Sequence, residues 1–373
     1  IRGGGWECCG IRLYYSSNAT LTDCCMYNNY CGIWCYVSSN NKISNCHMWS
    51  NERVNLYVYG YEKQHFANII DTSNTINGKT AYYLFDLHNL TLESINTTHI
   101  TLAWCSNITL KNSNITNGDG IYLPYSSNNN IVHCSISSNY MGGYLFVSSV
   151  NNITNCTIYN NFVGVYILTS GKNYLSHSIC YNNSYGVLLT SSSKFNEITH
   201  CNISENNNYG IYISSGTEYG AIHHNNFINN TNQAYDECSN FWDNGIGEGN
   251  YWSDYDEPGE GAYDNNTDGI ADTPYAIPGG SNYDYYPFME PSGWEEVPGL
   301  TPHAPIYIEG NADFSDADDD GVSNPEAAGT ADDPYIIEGW DINASSANGI
   351  SIQNTNAYFV IRNCVIHDGK STY

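Results

Sequence analysis

Two short acidic segments carry the residues best suited to binding a hard cation. In each of them, oxygen-bearing side chains alternate with other residues, and a glycine (Gly269 or Gly321) allows a tight bend. This spacing on a turn is typical of calcium loops and predicts structural calcium. The candidate ligands are Asp264, Asn266, Asp268 and Asp272 in DNNTDGIAD, and Asp316, Asp318, Asp320 and Asn324 in DADDDGVSN.

Both segments depart from the full calcium motif at its twelfth position. Tyr275 and Ala327 stand there instead of a chelating glutamate, although Glu326 can substitute from one place earlier in the second segment. The alternative is a solvated acidic turn that binds no metal. Neither segment adjoins acid–base residues, so any ion is expected to be structural and no catalytic cofactor is predicted.

Aromatic residues recur at the outward positions of short segments whose aliphatic residues alternate. Flat rings at regular spacing suit stacking against sugar rings, which predicts carbohydrate binding. The alternatives are that the rings stabilise the sheet by stacking on one another, or that a neighbouring domain covers them. The candidate residues are Trp34, Tyr36, Tyr122, Tyr144, Phe146, Tyr166 and Tyr212.

Catalysis on polysaccharides requires acids that these segments lack. A glycosidase needs two carboxylates at a fixed separation, whereas Asp23 and Glu205 fall in unrelated segments. No Asp-Asp or His-Gly pattern of the pectinase type and no Asp-Pro-His pattern of the epimerase type is present. We therefore predict a non-catalytic protein. The alternative is a polysaccharide lyase or hydrolase whose acids come from beyond this sequence or from loops near residues 54–80.

A repeat of about 22 residues underlies all of these positions. Segments such as GIRLYYSSN, GIWCYVSSN and GIYLPYSSN begin at glycines separated by 22 residues or multiples of 22. A second series, including ISNCHMWSN and ITNCTIYNN, places a cysteine at its fourth position in steps of 22 or 23. Two alternating runs in 22 residues are too short for a helical hairpin repeat and fit a coil of short strands.

Such coils stack in parallel, about 4.8 Å apart, so that identical side chains form ladders. We expect glycine and asparagine at fixed phase to occupy the bends, because both accept positive φ. Most of the 14 cysteines fall in repeat columns, where buried thiols are expected. The predicted fold is all-β, a right-handed parallel β-helix.

Changes in the periodicity predict the domain organisation. Residues 1–235 form the coils, with an outward loop around Thr72–Lys79, and residues 236–290 form a C-terminal cap plugged by Trp242, Trp252 and Tyr255. Residues 291–304 read as a linker, and residues 305–373 as the start of a second β-helix. We expect the chain to be a fragment, because it opens at Ile1 and closes at Tyr373 inside a repeat.

The net charge of −27, with only 11 lysines and arginines, excludes nucleic acid as a partner and disfavours anionic membranes. No apolar stretch approaches the roughly 20 residues that span a bilayer. The sequons, such as those at Asn18 and Asn343, fit a surface protein, although the repeat consensus Asn-Ile-Thr explains several of them.

The segments DTSNTINGK, GNYWSDY, DGIADTPYAIPGG and DDPYIIEGWDIN, together with the 22-residue phase, resemble the NosD-like β-helix surface proteins with PbH1 and CASH repeats. This resemblance implies an extracellular, cell-surface or periplasmic protein that acts as a carbohydrate-binding module, a scaffold or an adhesion module. The partners it implies are glycans, other components of the cell envelope, or other surface proteins.

The NosD resemblance also raises copper. Histidines precede the cysteine column at His133, His177, His200 and His223 or His224, and His with Cys can hold a soft ion. The alternative is that histidine replaces asparagine in a ladder of bends, because Asn45 and Asn155 occupy the same position. A copper-related periplasmic protein therefore remains an alternative to carbohydrate binding.

Overall fold

The computed structural model describes residues 8–214, 216–266, 268–294, 300–315, 321–331 and 333–369. The chain divides into two compact units, residues 1–294 and 295–373. Almost all regular structure in the described residues is short strand, and the helices there are two 3₁₀ turns, Lys63–Phe66 and Asp313–Ser315. None of the described helices has the length and apolar character needed to cross a membrane.

The first unit opens with a stack of three coils, which we call the first stack. Its strands form three parallel sheets, with the orders β1-β4-β7, β2-β5-β8 and β3-β6-β9, and β10 pairs antiparallel with β9. The strands are β1 (Cys9–Tyr14), β2 (Thr20–Thr22), β3 (Cys25–Tyr27), β4 (Cys31–Tyr36), β5 (Lys42–Ser44), β6 (His47–Trp49), β7 (Val54–Tyr59), β8 (Ile69–Ile70), β9 (Thr75–Ile76) and β10 (Lys79–Thr80).

The rest of the first unit is a longer stack, the second stack, whose coils also pair in parallel and which ends in a small antiparallel hairpin. The strands are β11 (Tyr82–Phe85), β12 (Thr91–Glu93), β13 (Asn96–Ala103), β14 (Thr109–Lys111), β15 (Asn114–Pro124), β16 (Asn130–Val132), β17 (Ser135–Ser137), β18 (Met141–Phe146), β19 (Asn152–Thr154), β20 (Thr157–Tyr159), β21 (Val163–Leu168), β22 (Tyr174–Ser176), β23 (Ile179–Tyr181), β24 (Tyr185–Thr190), β25 (Glu197–Thr199), β26 (Asn202–Ser204), β27 (Tyr209–Ile213), β28 (Ala221–His223), β29 (Asn226–Ile228), β30 (Ala234–Asp236), β31 (Tyr251–Trp252), β32 (Tyr275–Ala276) and β33 (Tyr283–Asp284).

The second unit repeats the architecture on a small scale, with three parallel sheets around a core that includes Ile306, Ile308 and Ile337. Its strands are β34 (Thr301–His303), β35 (Ile306–Glu309), β36 (Tyr335–Glu338), β37 (Trp340–Asn343), β38 (Ile350–Gln353), β39 (Phe359–Arg362) and β40 (Val365–His367). The predicted right-handed parallel β-helix, with a cap and the start of a second helix, is confirmed.

Strand register explains the 22-residue period. Ile11 pairs with Ile33 and Tyr144 with Tyr166, so each coil places the same residue type above its predecessor. Because side chains alternate along a strand, Ile33 and Cys35 point inward and are buried, while Trp34 points out of the coil. The aliphatic ladders therefore build a continuous core inside each stack.

Asparagines at the bends form buried ladders of their own. The Asn129 side-chain amide donates to Oδ1 of Asn151 (2.9 Å), and Asn151 donates in the same way to Asn173 (3.1 Å). A second ladder runs through Asn161 and Asn183. A buried amide is costly unless its donors and acceptors are matched, and stacking identical amides in register matches them.

The expectation that repeat glycines supply positive φ is wrong for most of them. At Gly32, Gly142 and Gly164 the structure records no left-handed φ, and an added Cβ would instead collide with a backbone carbonyl of the next coil. Close approach between coils therefore selects glycine there. Gly120 is the exception, with φ of +89°. The bends do use left-handed asparagines, among them Asn155 (φ +52°).

The cap closes the second stack with indole rings. Trp242 and Trp252 are buried in the core, and Trp252 stacks on Phe227 with ring centroids 4.2 Å apart. Tyr255 packs partly buried against the same core. These three residues are the plug that the sequence predicts.

The predicted outward loop around Thr72–Lys79 is wrong in part. β9 pairs with β6, and Asn74 and Ile76 are fully buried. The segment therefore completes a coil of the first stack before the chain turns at Asn77 and Gly78 into β10.

Candidate functional site

Parallel stacking is interrupted after β7, and a carboxylate replaces the coil that would come next. Asp119, in β15, accepts hydrogen bonds from the backbone N–H groups of Asn55 (2.7 Å) and Leu56 (2.9 Å) and from the Asn55 side chain (3.0 Å). In a regular coil such N–H groups bond to carbonyls of a neighbouring strand. We call the contact between β7 and β15 the junction.

His99 fixes this carboxylate from the other side. Its Nδ1 lies 2.9 Å from Oδ2 of Asp119, and its Nε2 lies 2.9 Å from Oγ1 of Thr101. The side chains of His99 and Asp119 are 1% and 7% exposed. Both imidazole nitrogens and both carboxylate oxygens are therefore engaged within the protein.

Small outward residues make room for the first stack. Thr101 pairs with Tyr122, and Ala103 pairs with Phe85, so both stand at outward positions that hold large rings in neighbouring coils. Both are buried, and Ala103 packs into the core of the first stack. The open end of the first stack is thus closed by the outward face of β11 and β13.

One aromatic ladder continues across the junction. Tyr57 of β7 lies 5.3 Å from Tyr122, between ring centroids, and Tyr122, Tyr144 and Tyr166 follow at 5.0 and 5.1 Å. We call Tyr57, Tyr122, Tyr144 and Tyr166 the tyrosine column. The ladder is continuous although β7 and β15 do not pair as strands, because Asp119 holds β7 beside β15.

A cavity of about 230 Å³ lies beside the tyrosine column. All four members of the column line it, together with Arg53 and Tyr140, and the His99–Asp119 pair is also in its wall. Arg53 donates from Nη1 to the hydroxyl of Tyr30 (2.8 Å), and its guanidinium lies 5.2 Å from the ring centre of Tyr140. The cavity therefore combines aromatic surface, phenol hydroxyls and one guanidinium.

Burial sets the protonation of these phenols. It raises the pKa of Tyr57 to about 12, and it raises the pKa values of Tyr122 and Tyr144 well above the ordinary value for tyrosine. At neutral pH these hydroxyls are therefore neutral groups that donate and accept hydrogen bonds.

The predicted carbohydrate-binding residues are only partly accessible. Tyr36, Tyr144, Tyr166 and Tyr212 are half-buried, whereas Trp34, Tyr122 and Phe146 are buried, so the expectation of one exposed stripe needs correction for these three. Trp34 is covered by the guanidinium of Arg12, 4.8 Å from its ring, and neighbouring rings cover Tyr122. Tyr122, Tyr144 and Tyr166 line the cavity, while Trp34, Tyr36, Phe146 and Tyr212 do not.

The first acidic loop is held by hydrogen bonds from its own backbone. Asp264 accepts from the N–H groups of Asp268 (3.2 Å) and Gly269 (2.9 Å), and Asp272 accepts from Asn265 (2.8 Å). Asn266 bonds through its side chain to Asp268 (2.9 Å). The four predicted ligands thus lie on one tight turn, and calcium there stays a prediction.

The second acidic loop is described only in part. Asp316, Asp318 and Asp320 lie outside the described residues. Asn324 is described, and its side chain donates to the carbonyl of Pro334 (3.0 Å) and accepts from the N–H of Ile336 (2.6 Å). Asn324 is therefore already engaged with β36 and the residue that precedes it.

The histidine column lies at the bends. His133, His177 and His200 have φ between +48° and +55°, the conformation that Asn155 adopts in the same position, which agrees with histidine replacing asparagine in a turn ladder. At the end of the column, Nδ1 of His224 lies 3.2 Å from Nδ1 of the preceding residue, His223. Burial and the neighbouring imidazoles lower the pKa of His223 to about 4.

Two family models match this sequence. The model described as "Periplasmic copper-binding protein (NosD)" matches residues 66–257, just over half of the chain, and the model "Right handed beta helix region" matches residues 5–88. The chain belongs to the NosD family. The matched range begins in the last coil of the first stack, covers the second stack up to residue 257 and includes the junction residues His99 and Asp119.

Two solved structures resemble this NosD-family chain. They are the A-modules of the mannuronan C-5 epimerases AlgE6 and AlgE4 of Azotobacter vinelandii, at 14% and 15% identity and TM-scores of 0.30 and 0.25. The matches cover 60% and 61% of this chain and 63% and 73% of those chains. Likeness at this level carries no argument about activity. A comparison with curated proteins finds no match.

The described residues provide only part of the copper site that the NosD description implies. Two nitrogen donors 3.2 Å apart suit one tetrahedral ion, and His200 adds a buried Nδ1 without a hydrogen-bond partner. Among the described residues, however, no three His, Cys, Asp or Glu side chains converge to hold a metal. Burial raises the pKa of Cys201 to about 12, so that thiol is a poor ligand.

Sequence reasoning missed Arg53, Tyr57, Tyr140, His99 and Asp119. They come from four places in the chain, because Arg53 and Tyr57 belong to one segment, and this segment meets the other three residues only because β7 lies beside β15. One signal was present. The outward position that holds an aromatic residue in neighbouring coils holds Thr101 in β13, and the 22-residue phase weakens over residues 54–119. A gap in a ladder is where another part of the chain can dock.

Proposed function

We propose that this NosD-family chain is a non-catalytic glycan-binding protein of the periplasm or cell surface, and that the junction cavity is its binding site. The observation that carries the proposal is the tyrosine column lining a cavity together with Arg53 and Tyr140. The periplasmic description of the family supports a location outside the cytoplasm.

The chemistry of the cavity suits a sugar better than an apolar ligand. Tyrosine offers an aromatic edge and a hydroxyl, and a sugar ring offers C–H surface beside hydroxyl groups, so both halves of each partner are matched. Ligand sites usually combine apolar walls with a few placed polar groups. A cavity of about 230 Å³ is of the size expected for one sugar ring rather than a long segment of polysaccharide.

The same geometry favours binding over catalysis. Among the described residues that line the cavity there is one carboxylate, that of Asp119, and hydrolysis of a glycoside needs two. His99 is no better as a base, because both of its nitrogens are engaged and its side chain is 1% exposed. The phenols of Tyr122 and Tyr144 are no better as bases, because tyrosine is protonated at physiological pH and burial raises their pKa values further.

Under this proposal, only part of the predicted aromatic stripe binds glycan. The rings of Tyr144 and Tyr166 stack on each other, so a sugar meets their edges and hydroxyls rather than their faces. Tyr212 and Tyr235 form a matched pair farther along the second stack, stacked at 4.9 Å and absent from the lining of the cavity. A comparison of variants in the two pairs therefore distinguishes rings that bind glycan from rings that only stack on one another.

The test uses two double variants of the whole chain. A glycan array identifies ligands, and titration calorimetry then compares wild type with Tyr144→Ala/Tyr166→Ala and with Tyr212→Ala/Tyr235→Ala. We expect the first variant to weaken binding about tenfold or more and the second to leave it unchanged, with thermal unfolding showing that both variants fold. Equal losses in both variants, or no glycan bound by wild type, would contradict the proposal.

Copper binding is the second candidate, favoured by the contact between His223 and His224 inside the range that matches the family. Titration of the chain with Cu(I) and Cu(II) tests it, with His223→Asn/His224→Asn as the variant and His133→Asn as the control at an equivalent bend. Stoichiometric binding lost only in the double variant supports copper, and no binding by wild type rejects it.

Structural calcium at Asp264, Asn266, Asp268 and Asp272 is proposed in addition, since their oxygens lie on one turn. The ion would stiffen the segment after the indole plug and would take no part in binding glycan.

A further inference from the structure

We infer that the outward face of the second stack carries a further site, a groove that binds an oligosaccharide of amino sugars. We call it the outer groove, and the lining residues that carry the inference are Asn130, Asn152, Tyr174 and Glu197. The outer groove and the junction cavity share no described lining residue, so the inference goes beyond the proposed function and does not depend on it.

Strand register places these four side chains in one row. Asn130 pairs with Asn152 and Asn152 with Tyr174, and Tyr174 pairs with Glu197, on the neighbouring strands β16, β19, β22 and β25. The residue that follows each of them is buried, so the row itself faces outward. The groove continues to Asn107 on the preceding coil and therefore crosses four strand spacings, roughly 19 Å. With a volume of about 660 Å³ it has room for several sugar rings.

The polar groups of this row are not engaged inside the protein. The preceding asparagines of the same coils, Asn129 and Asn151, bond to each other in a buried ladder. In the part of the chain that the structure describes, the side-chain amides of Asn130 and Asn152 bond to no protein group, and the same holds for the Tyr174 hydroxyl and the Glu197 carboxylate. Amides, a hydroxyl and a carboxylate are therefore available to the hydroxyl and amino groups of a sugar.

Tyr174 adds an aromatic surface to the row. Its side chain is 45% exposed, and no ring of a described residue stacks on it. Other outward rings of the second stack are paired, such as Tyr159 and Tyr181, whose centroids lie 5.0 Å apart. A sugar ring can therefore pack its C–H face against Tyr174, which is the contact that the stacked rings at the junction do not offer.

The charge of the outer groove favours a cationic sugar. Among the described residues that line it, Glu197 has the only carboxylate, and there is no lysine or arginine. His177 and His200 are the histidines in the lining, and burial lowers the pKa of His200, so that imidazole is neutral at neutral pH. A carboxylate without a cation repels an acidic sugar and attracts an ammonium group, and the net charge of −27 acts in the same direction at longer range. Glu197 is therefore placed to bind the ammonium of an amino sugar that packs on the neighbouring Tyr174.

The test compares two ligands that differ in one group. An oligomer of glucosamine carries amino groups, and its N-acetylated counterpart carries neutral amides at the same positions. Titration calorimetry on the whole chain should show the glucosamine oligomer binding about tenfold or more tighter, because charge-assisted hydrogen bonds are stronger than neutral ones. Equal binding of the two oligomers, or binding of neither, overturns the inference.

Variants then assign the effect to the outer groove. Glu197→Gln should remove the preference for the amine, and Glu205→Gln is the matched control, because Glu205 lies on an exposed bend of the same coil and is not among the lining residues. Tyr174→Ala should weaken both oligomers about tenfold, with Tyr27→Ala as the control at an exposed tyrosine of the first stack. Equal thermal midpoints show that the variants fold. Equal losses in a variant and its control would mean that a cation is attracted to the acidic protein without a site, and would overturn the inference.

The junction variant separates this site from the proposed one. Tyr144→Ala/Tyr166→Ala should leave the affinity for the glucosamine oligomer unchanged, because both rings line the junction cavity and neither lines the outer groove. Loss of the oligomer in that variant, with normal binding in Tyr174→Ala, would place the ligand in the junction cavity and overturn the inference while supporting the proposed function. Loss in Tyr174→Ala alone supports the outer groove, whatever the result at the junction.

Discussion

The first unit ends a stack of coils at two places, the junction and the cap, and both ends use a buried aspartate. At the cap, Asp284 accepts from the N–H of Asn250 (2.7 Å) and the indole of Trp252 (2.9 Å). At the junction, Asp119 accepts from the N–H groups of Asn55 and Leu56. In each case a carboxylate satisfies donors that have no further coil to bond to.

The two ends differ in what fills the space. Indole rings fill the core at the cap, where Trp252 lies between Phe227 and Tyr275, 4.2 Å from each. At the junction, the outward face of β11 and β13 closes the open end of the first stack, and a cavity of about 230 Å³ remains beside the tyrosine column. Closing a stack with its own plug gives stability, whereas closing it with another stack also leaves a cavity.

The largest expected effect is at the cap. Trp252→Ala should lower the free energy of unfolding by about 3–5 kcal/mol, because a large buried ring leaves a void. Trp49→Ala is the control, since Trp49 is partly exposed and stacks on Tyr27 at the surface. Denaturant unfolding measures both. If the plug contributes only to stability, Trp252→Ala leaves glycan affinity unchanged. A loss of affinity together with the loss of stability would contradict this difference between the cap and the junction.

The cap should also respond to pH. Burial raises the pKa of Asp284 to about 7, above the ~3.9 of an unfolded chain, so folding takes up a proton between about pH 4 and 7. The contribution of this carboxyl group to the free energy of unfolding is present in full below about pH 4 and is lost as pH rises through 7, a change of about 4 kcal/mol. Across this pH range, the thermal midpoint should fall less steeply with rising pH for Asp284→Asn than for wild type. Equal slopes would contradict the assignment of the raised pKa to Asp284.

A change at the junction should affect both stability and binding. Asp119→Asn places an amide N–H₂ against N–H donors and should cost about 3 kcal/mol. Asp23→Asn is the control, because it makes the same change of side chain at a residue on an exposed bend. Unfolding and glycan titration are measured together. A variant that loses stability but binds glycan normally would show that Asp119 does not shape the cavity.

Removal of calcium should have the smallest effect. A chelator is expected to lower the thermal midpoint by a few degrees, corresponding to about 1–2 kcal/mol for a site of moderate affinity. Asp264→Asn/Asp268→Asn should unfold at the chelated midpoint with or without calcium. An unchanged wild-type midpoint would mean that the loop binds no ion.

The parts of the fold that repeat could be predicted from sequence. The 22-residue spacing implies the parallel register of Ile11 with Ile33, and the shift to aromatic and acidic composition implies the plug formed by Trp242 and Trp252. These inferences work because a ladder depends on nearest neighbours, so local spacing contains the information.

The site could be predicted only in part. Tyr122, Tyr144 and Tyr166 lie in phase and were visible as a column. Arg53 and Tyr140 each precede an equivalent strand of the repeat, but they lie several coils apart in sequence, and nothing in the sequence indicates that they meet. Their approach depends on one tertiary event, the docking of β7 beside β15 through Asp119. The burial of Tyr122 depends on the same event, because Tyr57 of β7 lies against it, whereas Trp34 is covered by Arg12 of the neighbouring coil.

Each coil contributes one asparagine to a ladder, whatever the exact number of residues in that coil. Successive rungs are 22 residues apart from Asn129 to Asn151, 23 from Asn173 to Asn196, and 24 from Asn206 to Asn230. Extra residues are therefore absorbed between rungs without disturbing the bonding of the amides. Coils beyond the tyrosine column do not line the cavity, so the number of coils in the second stack can change while the cavity keeps its walls.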